Sequence, residues 1–206
     1  MDNLIISYLT LRKVIGILGV ALAGLCVAGG ILFGTGAVEG SISAYYLTNM
    51  RDLFVAVLAV AGAFLLTYTG YDRTDNILAS TAGIAAIGVA IFPMAYVAPG
   101  NIFGFGMPLV GILHYISAAV FFTVLAYISY FQFTKGNSDT NAKRKRNMVY
   151  KVSGIVMFGF LVLVALEALL PIDGGYYFIL IAEAFMLLAF GASWFVKGEA
   201  ILADDE

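Results

Sequence analysis

Long apolar runs alternate with short polar intervals along the whole chain, and one ruler divides them. A helix that crosses a hydrocarbon core of about 30 Å needs roughly 20 predominantly apolar residues. Six runs meet that length, at residues 14–36, 53–70, 77–97, 109–133, 152–170 and 176–196. The intervals between them are short, so consecutive helices are expected to be antiparallel neighbours. No internal repeat relates the first three runs to the last three. The pattern predicts an all-α fold: one polytopic transmembrane bundle of six helices, forming a single domain over residues 1–206.

Charge orients the bundle, because Lys and Arg are retained on the cytoplasmic side during insertion. Arg12, Lys13, Arg73, Lys135, Lys143, Arg144, Lys145, Arg146, Lys151 and Lys197 all fall in intervals on one side, and only Arg51 falls on the other. The bias alternates through every interval, and the interval from Pro99 to Pro108 carries no charge. The expected arrangement is N-in and C-in, in a cell membrane of the bacterial inner-membrane kind. The interval from Thr134 to Tyr150, in which the polar stretch Gly136 to Asn141 precedes the tetrad Lys143 to Arg146, reads as a mobile linker. Its basic residues suit anionic headgroups as well as setting topology.

Composition agrees and narrows the classes. Of the 206 residues, 62% are hydrophobic and 12% charged, against roughly 45–50% and 25% in soluble domains. The mean hydropathy is +0.96. A net charge of -2 gives no footprint for nucleic acid, so no such partner is expected. The single cysteine, Cys26, excludes an intramolecular disulfide and a cysteine-cluster metal site, and its place in the first apolar run assigns it to packing. Leu25 stands where a lipoprotein signal has Gly or Ala. The first run also exceeds the 7–15 residue core of a cleavable signal, so it is expected to stay as a helix.

Aromatic residues at the ends of the runs suggest two interfacial belts. Tyr68, Tyr71, Tyr127, Tyr130, Tyr150 and Trp194 would form the inner belt, and Tyr45, Tyr46, Tyr96, Tyr176 and Tyr177 the outer one. Gly30 and Gly34 form a GxxxG pair, and Ala82, Ala86 and Ala90 recur at every fourth residue. Such small-residue stripes let helices approach closely in lipid, here within one chain in the first instance. Homo-oligomerisation is compatible with them but not predicted. Pro93 falls inside the third run, where it would bend the helix.

Ionisable residues inside apolar runs are where chemistry is to be sought, since each costs a few kcal/mol at a helix centre. His114, Glu167 and Glu183 are the three, at depths of roughly 8, 6 and 10 Å from the outer side at 1.5 Å per residue. The first outer loop adds Glu39, Ser43, Arg51 and Asp52. Together these seven outline an outward-facing polar pocket with the loop as its lid, and Glu183, the deepest, as its most important member. Each also has a structural reading: Asp52 as a helix cap, Arg51 as a partner of Glu39, Glu167 at the interface, His114 as a hydrogen-bonded bundle histidine. One histidine rules out bis-histidine haem, no mid-membrane lysine offers a Schiff base, and His114 with carboxylates falls short of the usual zinc ligands. No cofactor and no metal are expected.

The stretch from Ser41 to Val55, the stretch Gly70 to Asn76, Ile91-Phe92-Pro93, His114 with Ser117 and Phe121-Phe122, and the stretch Ala189 to Glu199 resemble a bacterial group of six-helix membrane proteins of uncharacterised activity. More distantly the chain is similar to DRAM and Frag-type membrane proteins. The resemblance implies the same architecture and a lipid connection by analogy. Three functions follow as expectations. The first is binding of a lipid headgroup or small polar ligand in the outer pocket, with membrane lipids as partners. The second is a membrane-embedded hydrolase with Ser43 as nucleophile, His114 as base and a Glu as orienter. The third is a scaffold for a protein partner.

Overall fold

A computed structural model describes residues 7–34, 36–94, 107–136, 140–170 and 172–202. Among these residues the fold is all-helical. The helices are α1 (Tyr8–Phe33), α2 (Arg51–Thr67), α3 (Arg73–Ile91), α4 (Met107–Tyr127), α5 (Asn141–Leu169) and α6 (Phe178–Lys197). A short 3-10 helix, Ser43–Leu47, lies in the loop before α2, and α4 runs on into a π-helical turn, Ile128–Gln132. Five helices are long and apolar enough to cross a membrane: α1, α3, α4 with its π turn, α5 and α6. The sixth, α2, has 17 residues, or about 25 Å at 1.5 Å per residue, a little under the hydrocarbon thickness.

Two helices, α1 and α5, are longer than their apolar runs, because hydrogen bonding and not hydropathy sets their starts. The Ser7 hydroxyl accepts from the Thr10 amide at 3.2 Å and starts α1 well before the run that begins at residue 14. Thr140 does the same for the Lys143 amide at 3.1 Å, so α5 starts at Asn141. The basic tetrad therefore belongs to a helix and not to the expected linker. Lys and Arg are good helix formers, and nothing stops a capped helix from running on past the lipid boundary. Asn137, Ser138 and Asp139 of that linker, residues 95–106 with Tyr96, and Pro171 lie outside the described residues.

Pro93 does not bend a helix. Asp72 caps α3 by accepting from the Asp75 amide at 3.0 Å, and α3 ends at Ile91. Pro93 thus follows the helix end, where its missing N–H costs least.

The helices pack in chain order around a ring that α1 and α6 close. Glycines set two of the contacts. A Cβ on Gly62 of α2 would lie 2.9 Å from the Gly83 carbonyl oxygen of α3, and one on Gly83 2.7 Å from that of Gly62. Gly16 and Gly191 face each other between α1 and α6, at 3.1 and 2.9 Å by the same measure. Ala82, Ala86 and Ala90 are buried, as close packing of α3 requires.

Aromatic side chains fill the ring, and several were expected at the interface instead. Trp194 is only 1% exposed, with Tyr68, Phe133 and Phe190 at ring-centroid distances of 5.1, 5.2 and 6.0 Å. Tyr45, Tyr46, Tyr68 and Tyr150 are also buried. Tyr71, Tyr127, Tyr176 and Tyr177 are exposed, as a belt needs. An aromatic near a helix end serves either place, and the helix face it occupies decides which.

Candidate functional site

One end of the ring holds the segment between α1 and α2, and α6 anchors it there. The first N–H groups of a helix have no intrahelical acceptor, and the Leu180 amide, in the first turn of α6, donates to the Gly40 carbonyl at 2.9 Å. One turn further along α6 comes Glu183. Its Oε2 accepts from the backbone N–H groups of Ile42 at 2.5 Å and Ser43 at 3.2 Å, and its Oε1 accepts from the Ser43 hydroxyl at 2.9 Å. Three donors on two oxygens is an arrangement that a carboxylate offers and few other side chains do. Glu183 thereby latches the 3-10 helix over the bundle.

The loop also holds itself. Ser41 accepts from the Ala44 amide at 2.9 Å, and Thr48 accepts from the Met50 amide at 3.1 Å while donating to the Tyr45 carbonyl at 2.9 Å. Tyr45, fully buried, sits where Gly30 of α1 has no side chain, since a Cβ there would lie 2.6 Å from its ring. The Tyr45 hydroxyl accepts from the Glu39 amide at 3.3 Å.

Arg51 does not pair with Glu39. Its guanidinium donates to the Tyr46 hydroxyl at 3.1 Å and lies 4.8 Å from the centroid of that ring. The Tyr46 hydroxyl in turn donates to the Ile91 carbonyl at 3.5 Å, which ties the start of α2 to the end of α3. Asp52 is not the N-cap of α2. Met50 holds that position without a side-chain bond, and Asp52 stands exposed in the first turn, where its charge suits the positive end of the helix dipole.

His114 is 1% exposed, and its Nδ1 lies 2.6 Å from the Phe92 carbonyl oxygen. A carbonyl can only accept, so Nδ1 carries the proton. Phe92 is the C-cap residue of α3, so His114 serves that helix end from α4. Glu167, near the end of α5, is half-buried, and no ion pair reaches it among the described residues.

Of the seven predicted site residues, the structure thus joins Glu183 directly to Ser43 and gives His114 and Arg51 other partners. The cavity beside Glu183 holds about 30 Å³, with Ser43, Phe121 and Leu187 in its wall and neither His114 nor Glu167. That is room for a water molecule and little more. A larger groove of about 440 Å³ opens between the end of α1 and the loop, lined by Gly34, Glu39, Tyr45, Thr48 and Asn49 among others. Glu39 is half-buried there and has no ion-pair partner among the described residues.

Compared with protein-family models, curated proteins and solved structures, the chain finds no match in any of the three. The functional reading therefore rests on the residues and their geometry.

A second polar cluster, at the opposite end, lay outside the sequence reading. Lys197, 8% exposed at the end of α6, places its ammonium 3.2 Å from the Tyr71 hydroxyl and 4.6 and 5.1 Å from the Tyr71 and Phe133 ring centroids. Arg12 of α1 donates to the Tyr68 hydroxyl at 3.4 Å. Lys135 bridges Asp72 at 2.7 Å and Asp75 at 3.3 Å. The Lys135 ammonium holds the exposed Asp72 carboxyl below its ordinary value, and Asp72 raises Lys135 in return. Lys197 looked like one more topological charge, and only its position on the inward face of α6 reveals it as buried.

Proposed function

We propose that this chain is a six-span membrane protein with both termini on the cytoplasmic side, and that it binds a lipid headgroup or small polar ligand in an outward-facing pocket. The charge bias supports the orientation, and α2, though short, supports a sixth span because tilt and local thinning absorb a few ångströms of mismatch. The observation that carries the binding reading is the groove of about 440 Å³ with Glu39 in its wall. Its size falls within the range of small-molecule sites, roughly 300–1,000 Å³. A carboxylate with no ion pair among the described residues, beside the polar Thr48 and Asn49, suits a headgroup with an ammonium group.

In this reading the sequence-predicted residues divide by role. Glu39 meets the ligand. Glu183 and Ser43 act at one remove, by fixing the loop that forms the wall of the groove. Arg51 and Asp52 secure the entry to α2, and His114 the end of α3. The hydrolase reading has less support, since the Ser43 hydroxyl donates to Glu183 and His114 is turned to Phe92, so nucleophile and base do not meet.

Native mass spectrometry of the full chain in mild detergent, titrated with phosphatidylethanolamine, tests the proposal. Glu39→Gln is expected to weaken retention roughly tenfold, as loss of one charge-assisted contact of about 1.5 kcal/mol would. Equal retention by the wild type and Glu39→Gln would contradict it.

A further inference from the structure

We infer that the cleft between α4 and α5 on the basic side of the bundle is a binding site for an anionic glycerophospholipid, with an acyl chain in the cleft and the phosphate at Lys151 and Arg144. The inference depends on the chain being embedded in a membrane, and not on the outer groove or on Glu39.

The cleft holds about 420 Å³ and is walled almost entirely by apolar surface, with Ala126, Tyr127 and Tyr130 on one side and Ile155, Phe158 and Gly159 on the other. Two features of the backbone shape it. Gly154 lets α5 approach α4 so closely that a Cβ there would lie 2.9 Å from the Ala126 carbonyl oxygen, which forms the floor. Just beyond, α4 changes to the π-helical turn Ile128–Gln132. Such turns widen a helix locally and recur at functional sites. The rim is exposed on both sides: Tyr127 is 44% exposed and Ile155 61%. An apolar, open cleft within a membrane-spanning segment meets hydrocarbon chains first.

Charge identifies the headgroup. Lys151, Ile155 and Phe158 stand at i, i+4 and i+7 along α5 and share one face, and Arg144 continues that stripe two turns earlier. Lys151 is thus about 6 Å above Ile155 along the axis, and Arg144 about 10 Å above Lys151. Both are exposed, and no ion pair neutralises either among the described residues. No acidic residue lies in the first turn of α5. A cleft for the chain lies directly below two exposed cations for the phosphate.

The test uses the full chain in mild detergent, with phosphatidylglycerol and phosphatidylcholine of identical acyl chains titrated separately and read by native mass spectrometry. The wild type is expected to retain phosphatidylglycerol more tightly, on the order of 10- to 30-fold for two basic contacts. Arg144→Ala with Lys151→Ala should bring that ratio close to one and leave phosphatidylcholine unchanged. Gly159→Phe should weaken both lipids. Nothing lies within 4 Å of a Cβ at Gly159, so the ring fills the cleft without disturbing the fold, and an unchanged helical circular dichroism melt verifies that. Equal retention of the two lipids by the wild type overturns the inference. So does a preference that survives the double charge variant, and so does a Gly159→Phe protein that binds as the wild type does, which would leave a basic surface without a lipid site. Glu39→Gln should leave all of these ratios unchanged, so failure here and failure of the outer groove are separate results.

Discussion

Replacing Glu183 with Ala removes the acceptor for three donors at once: the Ile42 and Ser43 amides and the Ser43 hydroxyl. The hydroxyl can turn to another acceptor, but the two amides cannot, and Ile42 and Ser43 are buried. A buried donor left without a partner costs about 1–3 kcal/mol, so the expected destabilisation is about 3–5 kcal/mol. Glu183→Gln keeps one oxygen for the two amides and presents its NH2 to Ser43, whose oxygen then accepts, so it should cost only about 1–2 kcal/mol. Ser43→Ala, which loses one bond, should cost about 1 kcal/mol. Trp194 is the single tryptophan and is buried, so its fluorescence during chemical unfolding in detergent reports global stability. Hydrogen exchange at Ile42 and Ser43 reports the latch itself. Ala should be the most damaging of the three, with both amides losing protection. A Glu183→Ala protein within about 0.5 kcal/mol of the wild type, or one with both amides still protected, would refute the latch, since 0.5 is below the cost of one lost bond.

Other expectations follow from the same structure. Asp72 has a folded-state pKa below its ordinary value of 3.8, so its pair with Lys135 contributes above that value and is lost as pH falls further through the folded pKa. Asp72→Asn should therefore abolish the acid-side change in exchange at the start of α3, and a change of equal size in that variant would exclude the pair as its cause. Tyr71→Phe keeps a ring beside the Lys197 ammonium and loses the hydroxyl acceptor, at about 1 kcal/mol, whereas Tyr71→Leu loses both, at about 2–3 kcal/mol. Equal unfolding midpoints for the two would argue against a cation and ring contact. Gly62→Leu, whose Cβ would lie 2.9 Å from the Gly83 carbonyl oxygen, should overpack α2 against α3 and cost about 1–3 kcal/mol in the same unfolding assay, while Gly159→Leu should be tolerated.

Hydropathy located the helices because the lipid ruler depends only on run length. It missed the ends of α1 and α5 because Ser7 and Thr140 carry those helices past the apolar boundary. Pro93 was visible as a break, but whether it kinks a helix or follows one depends on where the backbone hydrogen bonds stop. Glu183 and Ser43 were both singled out, on grounds of burial cost and loop polarity. Their contact was not legible, since it requires the loop to reach down to the second turn of α6, and a distance across 140 positions leaves no local periodicity. Glu39 and Arg51 have opposite charges and lie close in sequence, yet Arg51 takes the Tyr46 ring and hydroxyl, a partner that pairing by charge overlooks. Trp194 and Lys197 are three residues apart near the end of a run, the usual address of an anchor and a topological charge. Both point inward, and only helix-face assignment against α1 and α4 separates the two cases.

The central claim is that the groove beside Glu39 opens to the outside while the start of α5 lies in the cytoplasm. Single cysteines at Ala37, on the groove, and Asn141, at the start of α5, in a Cys26→Ala background put it to the test in intact cells with a membrane-impermeant thiol reagent. The account predicts labelling of the cysteine at position 37 without permeabilisation, and of the one at position 141 only after it. Labelling in the reverse order would place the groove in the cytoplasmic half and contradict the account.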